Sequence, residues 1–356
     1  MAGRLKAFMC CVLAIVLVSL AFVCLYSRSS QAGYGNDVLL AAAALSMPDG
    51  SYSQNVTITS EKSYDHSTEK LTSARDISSY DEAVFSEDPS LYDDEEHFPV
   101  VETLYCTGQL GYNDFYVKNV SDYDPDIGTL LSKPLGFQFE DSNKVQVLIV
   151  HTHTTESYLS YDAGYYHESF YSRSTDSQRN MNRVGRAIEE GLKEQGIGVV
   201  HAEEIHDSPE YNGAYYRSYD TIMKYMEEYP DIKVVLDIHR DSIGYGSENG
   251  KVKPTFTHNG RKAAQIMIMA GYDGDGSLEF PHWEDNLVFA LKLQDTAEKM
   301  YPGMTRPLYL GNFVYNMNVN NGSLLIEVGT DANTLSEAVY TGELLSNVLG
   351  RVLQSG

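Results

Sequence analysis

From residue 144 onward, short runs of consecutive apolar residues alternate with segments whose apolar positions recur every three or four residues. That is the pattern of strands covered on both faces by amphipathic helices. The predicted strands are Val145 to His151 (VQVLIVH), Ile197 to Ala202, Lys233 to Ile238 (KVVLDI), Gln265 to Ala270 and Ser323 to Val328 (SLLIEV). Helices are predicted over about 179–195, where Met181, Val184, Ile188 and Leu192 form one face, and over 213–229, ended by Pro230. Two more are predicted over about 284–300, stopping near Pro302-Gly303, and over 334–353. Asn259-Gly260, after His258, marks a hairpin. Strands alternating with helices predict one α/β domain over 144–356, a mostly parallel sheet flanked by helices, with no internal repeat.

The first third reads differently. Residues 7–26 (AFMCCVLAIVLVSLAFVCLY) are apolar but for Ser19, the length a hydrocarbon core of about 30 Å asks of a helix. Arg4 and Lys6 precede the run and only Arg28 closely follows, which predicts a cytoplasmic N-terminus and an extracytoplasmic remainder. A cleaved signal peptide has an apolar region of about 7 to 15 residues, so a retained transmembrane anchor over 1–30 is the better expectation. Phe22 and Val23 ahead of Cys24 are not the small residues that lipidation requires.

Residues 31–143 hold 21 Asp and Glu against 5 Lys and Arg, with YDEAVFSEDPSLYDDEE at their centre, and read as a largely disordered acidic spacer that gives a tethered domain reach. The net charge of the whole chain, −24, argues against nucleic acid as a partner. Cys10, Cys11 and Cys24 lie in the anchor and Cys106 stands alone, so no intramolecular disulfide forms outside the membrane.

In open α/β sheets ligands gather at the carboxyl ends of strands. Three predicted strands end in metal-binding or acid-base groups: VLIV runs into His151-Thr152-His153, VVLDI into His239-Arg240-Asp241, and SLLI into Glu327. Two imidazoles and a carboxylate are the ligands of a hydrolytic zinc site, and a further carboxylate would carry the proton from water to the leaving group. His153 and His239 are the candidate imidazoles. Glu156, in a His-x-x-Glu with His153, is the candidate carboxylate ligand, with Glu168 and Asp176 as alternatives. His151 is a ligand or a group orienting one. Arg240 is a candidate for binding a substrate carboxylate or the oxyanion, or else a structural partner of Asp241. Asn180 and Asn182 sit where caps are common, or where substrate could be touched. His66 and His97 fall in the spacer, while His167, His201, His206, His258 and His282, in loops or at element ends, are expected to face solvent.

The motifs VLIVHTHTTESYL, GIGVVHAEEIHDSPEYNGAYYRSYD, VVLDIHRDS and LLIEVGTDANTLSEA, in that order over about residues 144–353, resemble the stage II sporulation protein P family. The resemblance implies a fold related to zinc-dependent N-acetylmuramoyl-L-alanine amidases, with His153, His239 and Glu327 in the positions of that fold's site residues. Those amidases place a glutamate ligand just ahead of the first helix, where this chain reads STDSQRNMNR, and Glu156 is the substitute. It also implies amidase and endopeptidase action on septal peptidoglycan during engulfment, between mother cell and forespore, with the stage II sporulation proteins D and M as partners. On this reading Glu327 is the general base and then the general acid. A wall-binding scaffold without activity and a zinc carboxypeptidase are the alternatives.

Overall fold

A computed structural model of the chain describes residues 86–139, 144–244 and 250–355. The expected anchor, His66 and the first half of the expected spacer lie outside these residues. Among the described residues no helix is long and apolar enough to cross a membrane.

The elements run β1 (His97–Thr103), β2 (Leu110–Tyr112), β3 (Phe115–Asn119), α1 (Ile127–Ser132), β4 (Val147–Val150), β5 (Tyr165–His167), α2 (Met181–Glu194), β6 (Val199–His201), α3 (Ala214–Glu228) and β7 (Val234–Asp241). They continue with β8 (Lys251–His258), β9 (Arg261–Ala264), β10 (Ile266–Gly271), α4 (Trp283–Met300), β11 (Leu308–Gly311), β12 (Ser323–Thr330) and α5 (Leu335–Gln354). Local chemistry sets several boundaries. Asn180 caps α2 by accepting the Asn182 amide. Thr334 and Glu337 close a reciprocal capping box on α5. Asn259 and Gly260 take φ of 51° and 75° to turn β8 into β9, as the Asn-Gly pair predicts.

The large sheet has the order β2-β3-β11-β10-β12-β7-β4-β6. It is mixed, which corrects the expectation of a mostly parallel sheet. β10 runs antiparallel to β12, and β2 antiparallel to β3. The reason lies in the links. A parallel return needs a crossover of a dozen or more residues, usually a helix. Residues 312–322 between β11 and β12 carry only a 3-10 turn, and β2 passes to β3 through Asn113 in the left-handed conformation. A second sheet, β5-β1-β8-β9, stands apart.

The disordered spacer expected over 31–143 is corrected for its second half. β3 extends the large sheet beside β11, in register from Leu308 opposite Val117 to Leu310 opposite Asn119. Phe115 and Val117 alternate inward, and Ile127 and Leu130 of α1 join the same core. The acidic composition hid four apolar residues at the right spacing.

The main core lies between one sheet face and α2, α4 and α5. The other face is covered by α3 over β4 and β7, and by a Met-rich cluster of Met267, Met269, Phe280, Met317 and Leu325 over β10 and β12. Phe115 is 2% exposed. Truncating a phenylalanine in a packed core costs about 3–5 kcal/mol. Phe115→Ala should therefore lower the urea-unfolding free energy by that order, whereas a loss below about 0.5 kcal/mol would mark residues 86–139 as the loose tether their composition suggests.

Candidate active site

Side-chain alternation decides what faces the site. Val234, Leu236 and Ile238 of β7, with Leu324, Ile326 and Val328 of β12, enter the main core. Val235 and Leu325 pack on the opposite face, so Asp237, His239 and Glu327 project there as well. Glu327 is the direct cross-strand partner of His239 in the parallel β7–β12 pairing.

His153 reaches the same place from the turn after β4. Its ring stands perpendicular to that of His239, with centroids 5.4 Å apart. Tyr211 stacks on it at 4.5 Å, and the Tyr211 hydroxyl lies 3.1 Å from Nε2. Nδ1 is buried without a hydrogen-bond partner, 3.9 Å from Asp207 Oδ2. Burial, then the charges of His239 and Arg173, hold His153 well below the usual imidazole range. It is therefore neutral, the form that binds a metal.

His239 is placed oppositely. Its Nε2 lies 2.8 Å from Asp237 Oδ1, although the angle is too poor for a hydrogen bond, and its Nδ1 is 3.7 Å from Glu156 Oε2. Burial opposes its charge, but Asp237 outweighs burial, with Glu156 and Glu327 adding, and the pKa is pushed up to about 9. Asp237 stays below the usual carboxylate range: burial works against this, but His239 and two hydrogen bonds from Thr152 prevail. For Glu327, burial first and then the Asp241 and Glu156 charges, against the pull of His239 and Arg306, push the pKa up to about 8. Its Oε2 is buried and unpartnered.

Of the three candidate carboxylate ligands, the fold brings only Glu156 to this cluster. It pairs by a β-bridge with Arg173, and Ser157 pairs with Asn180, so Glu156 lies beside the very segment that precedes α2. Asp176 is an exposed turn cap accepting the Gln178 amide. Glu168 sits just past β5, its amide bonded to Glu96. Arg240 is spent on structure. It alternates away from His239, its Nε donates to Ser157 O at 3.1 Å and Nη2 to Ser172 O at 2.7 Å, and its backbone N–H donates to Glu156 Oε2 at 3.2 Å. Both Asn180 and Asn182 are buried, the second donating to Glu203 O.

His151 has no free nitrogen. Nδ1 meets Ile238 O at 2.8 Å and Nε2 meets His201 Nε2 at 2.8 Å. Gly185 of α2 makes room for this pair, since a Cβ there would lie 2.5 Å from either Nε2. His201, His206 and His167, expected to face solvent, are all buried. His206 bridges His151 O and Thr221 Oγ1. His167 meets the Tyr161 hydroxyl and stacks on Tyr92 at 3.7 Å. His97 is the exposed end of β1.

Sequence reasoning passed over Asp237, Asp207, Arg173, Tyr211 and Tyr215. Asp237 had a signal, since a carboxylate two residues before His239 in a strand must share its face. Asp207 had none: it arrives through a loop to accept the Thr155 amide at 3.0 Å and Arg173 Nη1 at 2.6 Å.

Among the described residues no three His, Cys, Asp or Glu are arranged as they stand to hold a metal. The donor chemistry still suits zinc. His153 Nδ1 and Glu327 Oε2 are buried without hydrogen-bond partners, and His239 turns Nδ1 toward Glu156 with Nε2 against Asp237. The 3.7 Å between His239 Nδ1 and Glu156 is a little wider than the edge, about 3.3 Å, of a tetrahedron with bonds near 2.0 Å. A carboxylate behind His239 is the usual orienting partner of a metal-binding imidazole. A cavity of about 400 Å³ lined by Tyr161, Arg261, Lys262 and Thr334 includes none of these groups.

A family model described as stage II sporulation protein P matches residues 40–350. No curated protein gives a significant match. Solved structures with a similar chain path include an N-acetylmuramoyl-L-alanine amidase of Nostoc punctiforme, at 10% identity and TM-score 0.34 over 59% of this chain and 96% of that one. Another is the N-acetylmuramoyl-L-alanine amidase from Clostridium difficile 630, at 17% identity and TM-score 0.33 over 60% and 97%. A third is the CwlD amidase from Clostridioides difficile in complex with the GerS lipoprotein, at 14% identity and TM-score 0.33 over 59% and 97%.

The buried neutral histidines set a pH dependence. His201 is held down to about 3 by burial, then by Arg186 and Lys193, and His151 and His153 are lowered by burial too. Unfolded imidazoles titrate near 6.5, so below that pH the unfolded chain binds more protons and stability falls. Each such histidine steepens the loss by up to about 1.4 kcal/mol per pH unit. Urea unfolding from pH 7 to 5 should show the decline, and His201→Phe should make it shallower. A flat profile would contradict the burial of these rings as neutral groups.

Proposed function

Since the chain belongs to the stage II sporulation protein P family, we propose that it is a zinc-dependent peptidoglycan hydrolase that cuts the amide bond between muramic acid and the stem peptide. The observation that carries this reading is Glu327: a buried carboxylate with a free oxygen and a pKa near 8, one strand from His239 and facing the same space. A wall-binding scaffold has no use for such a group. A hydrolase needs it, because a proton must be taken from water and returned to a leaving amine near neutral pH.

His153, His239 and Glu156 would hold the zinc, which supplies the positive charge that polarises water and the scissile carbonyl. The chain's own residues do the rest. Asp237 fixes the ring of His239 and Asp207 flanks that of His153. Glu327 accepts the water proton as the new C–O bond forms, and donates it to the amide nitrogen as the C–N bond breaks. Arg240 positions Glu156 through its backbone N–H rather than touching substrate. Tyr211 covers His153 and excludes water from one side. Endopeptidase action on crosslinks, the stage II sporulation proteins D and M as partners, and an anchored location outside the cytoplasmic membrane are part of the same proposal. They rest on family membership and on the apolar run at residues 7–26.

The test compares wild type, Glu327→Gln and His239→Ala for bound zinc and for solubilisation of purified peptidoglycan. Glu327→Gln should keep about one zinc per chain and lose at least 10²-fold in rate, the usual contribution of a general base. His239→Ala should lose both. A Glu327→Gln protein that solubilises wall at the wild-type rate would remove the proposed mechanism.

A further inference from the structure

The catalytic face of the sheet does not stop at Glu327. Cross-strand partners place Met267 of β10 beside Glu327, and one step back Met269, Tyr309 of β11 and Lys118 of β3 follow in a row. Among the described residues no α-helix packs on this outer part. Tyr309, Phe313, Tyr315 and Lys118 are half-buried. The rings make a continuous strip: Tyr309 to Phe313 at 5.8 Å, Phe313 to Tyr315 at 5.1 Å, Tyr315 to Tyr215 at 5.4 Å, and Tyr215 to His153 at 5.5 Å. At its far end the Lys118 ammonium lies 5.0 Å over the Tyr309 ring. Among the described residues it makes no ion pair, in a chain of net charge −24. The neighbouring cation, Arg306, is paired with Asp241 at 2.8 Å, so Lys118 is the charge left to meet a ligand.

From these observations we infer that the strip is a subsite for the stem peptide, with Lys118 holding one of its carboxylates. This rests on the function proposed above and extends it by naming what binds beside the scissile bond. The dimensions agree. Glu327 and the Lys118 backbone are three strands and two residues apart, about 16 Å, and the Lys118 ammonium over Tyr309 stands one strand nearer, about 12 Å from Glu327. An extended peptide of about four residues covers that distance. Apolar and aromatic walls with a single cation fit a short peptide that carries few side chains and an anionic end; a neutral sugar would leave the ammonium unmatched. The residue that reads the peptide thus comes from β3, in the acidic segment ahead of the α/β pattern. It is a specificity determinant and takes no part in bond cleavage.

The experiment uses the full-length chain and two synthetic fluorescent tetrapeptides of stem sequence, one with free carboxylates and one fully amidated. Binding is read by fluorescence anisotropy, independently of cleavage. Wild type should bind the free-acid peptide at least tenfold more tightly than the amidated one. Lys118→Met should abolish that preference, and Lys118→Arg should restore most of it. On peptidoglycan, Lys118→Met should raise KM with little change in kcat. Equal preference in wild type and Lys118→Met would overturn the inference. If wild type and Lys118→Met differ in binding as expected while neither cuts peptidoglycan, the subsite stands and the hydrolase reading falls.

Discussion

Asp237 is the constraint on which the site depends. Its carboxylate is 3% exposed and accepts two hydrogen bonds from Thr152, from the amide at 2.8 Å and the hydroxyl at 2.6 Å, while lying 2.8 Å from His239. An ionised carboxylate removed from water costs several kcal/mol unless such partners replace the lost hydration. The carboxyl end of β4 is therefore tied to β7. Because Thr152 Oγ1 also meets Ser218 Oγ at 2.7 Å, α3 is tied to both. The turn carrying His153 and Glu156 starts from that anchored residue, so a buried charge on one strand fixes where groups from another stand.

The same economy explains the field inside the site. Each nearby guanidinium is committed: Arg240 to the backbone carbonyls of Ser157 and Ser172, Arg173 to Asp207, and Arg306 to Asp241. Arg173 and Arg240 also stand 3.7 Å and 3.8 Å from Glu156 Oε1, yet Asp237, Glu156 and Glu327 together still favour a positive charge on His239. The pocket therefore favours a positive charge on His239, and Glu327, a carboxylate with a buried oxygen left without a hydrogen bond, has its proton affinity raised.

Much of this was legible in the sequence, because period-2 and period-3.6 patterns are strong where both faces of a strand are buried. β4, β6, β7, β10 and β12 and the helices α2 to α5 fall where the pattern puts them, within a few residues. The strand-end groups His153, His239 and Glu327 also converge as expected. The directions of β10 and β12 were not legible, because direction depends on the length of a link rather than on the strand. β1 to β3 were masked by charge: Phe115 and Val117 are two inward residues in a stretch dominated by Asp and Glu. The buried histidines were misjudged for a similar reason. His201 and His206 sit at element ends, and only the three-dimensional packing against His151 and Thr221 shows what satisfies them.

The central claim is that the buried pair of His239 and Glu327 serves cleavage of the bond between muramic acid and the stem peptide. Mass spectrometry of the products released from purified peptidoglycan by the full-length protein, with zinc supplied, addresses it directly. The account predicts free stem peptides with a new amino terminus and glycan strands left at full length. Intact stems still joined to the glycan, with no amide opened, would contradict it and leave the chain a wall-binding protein.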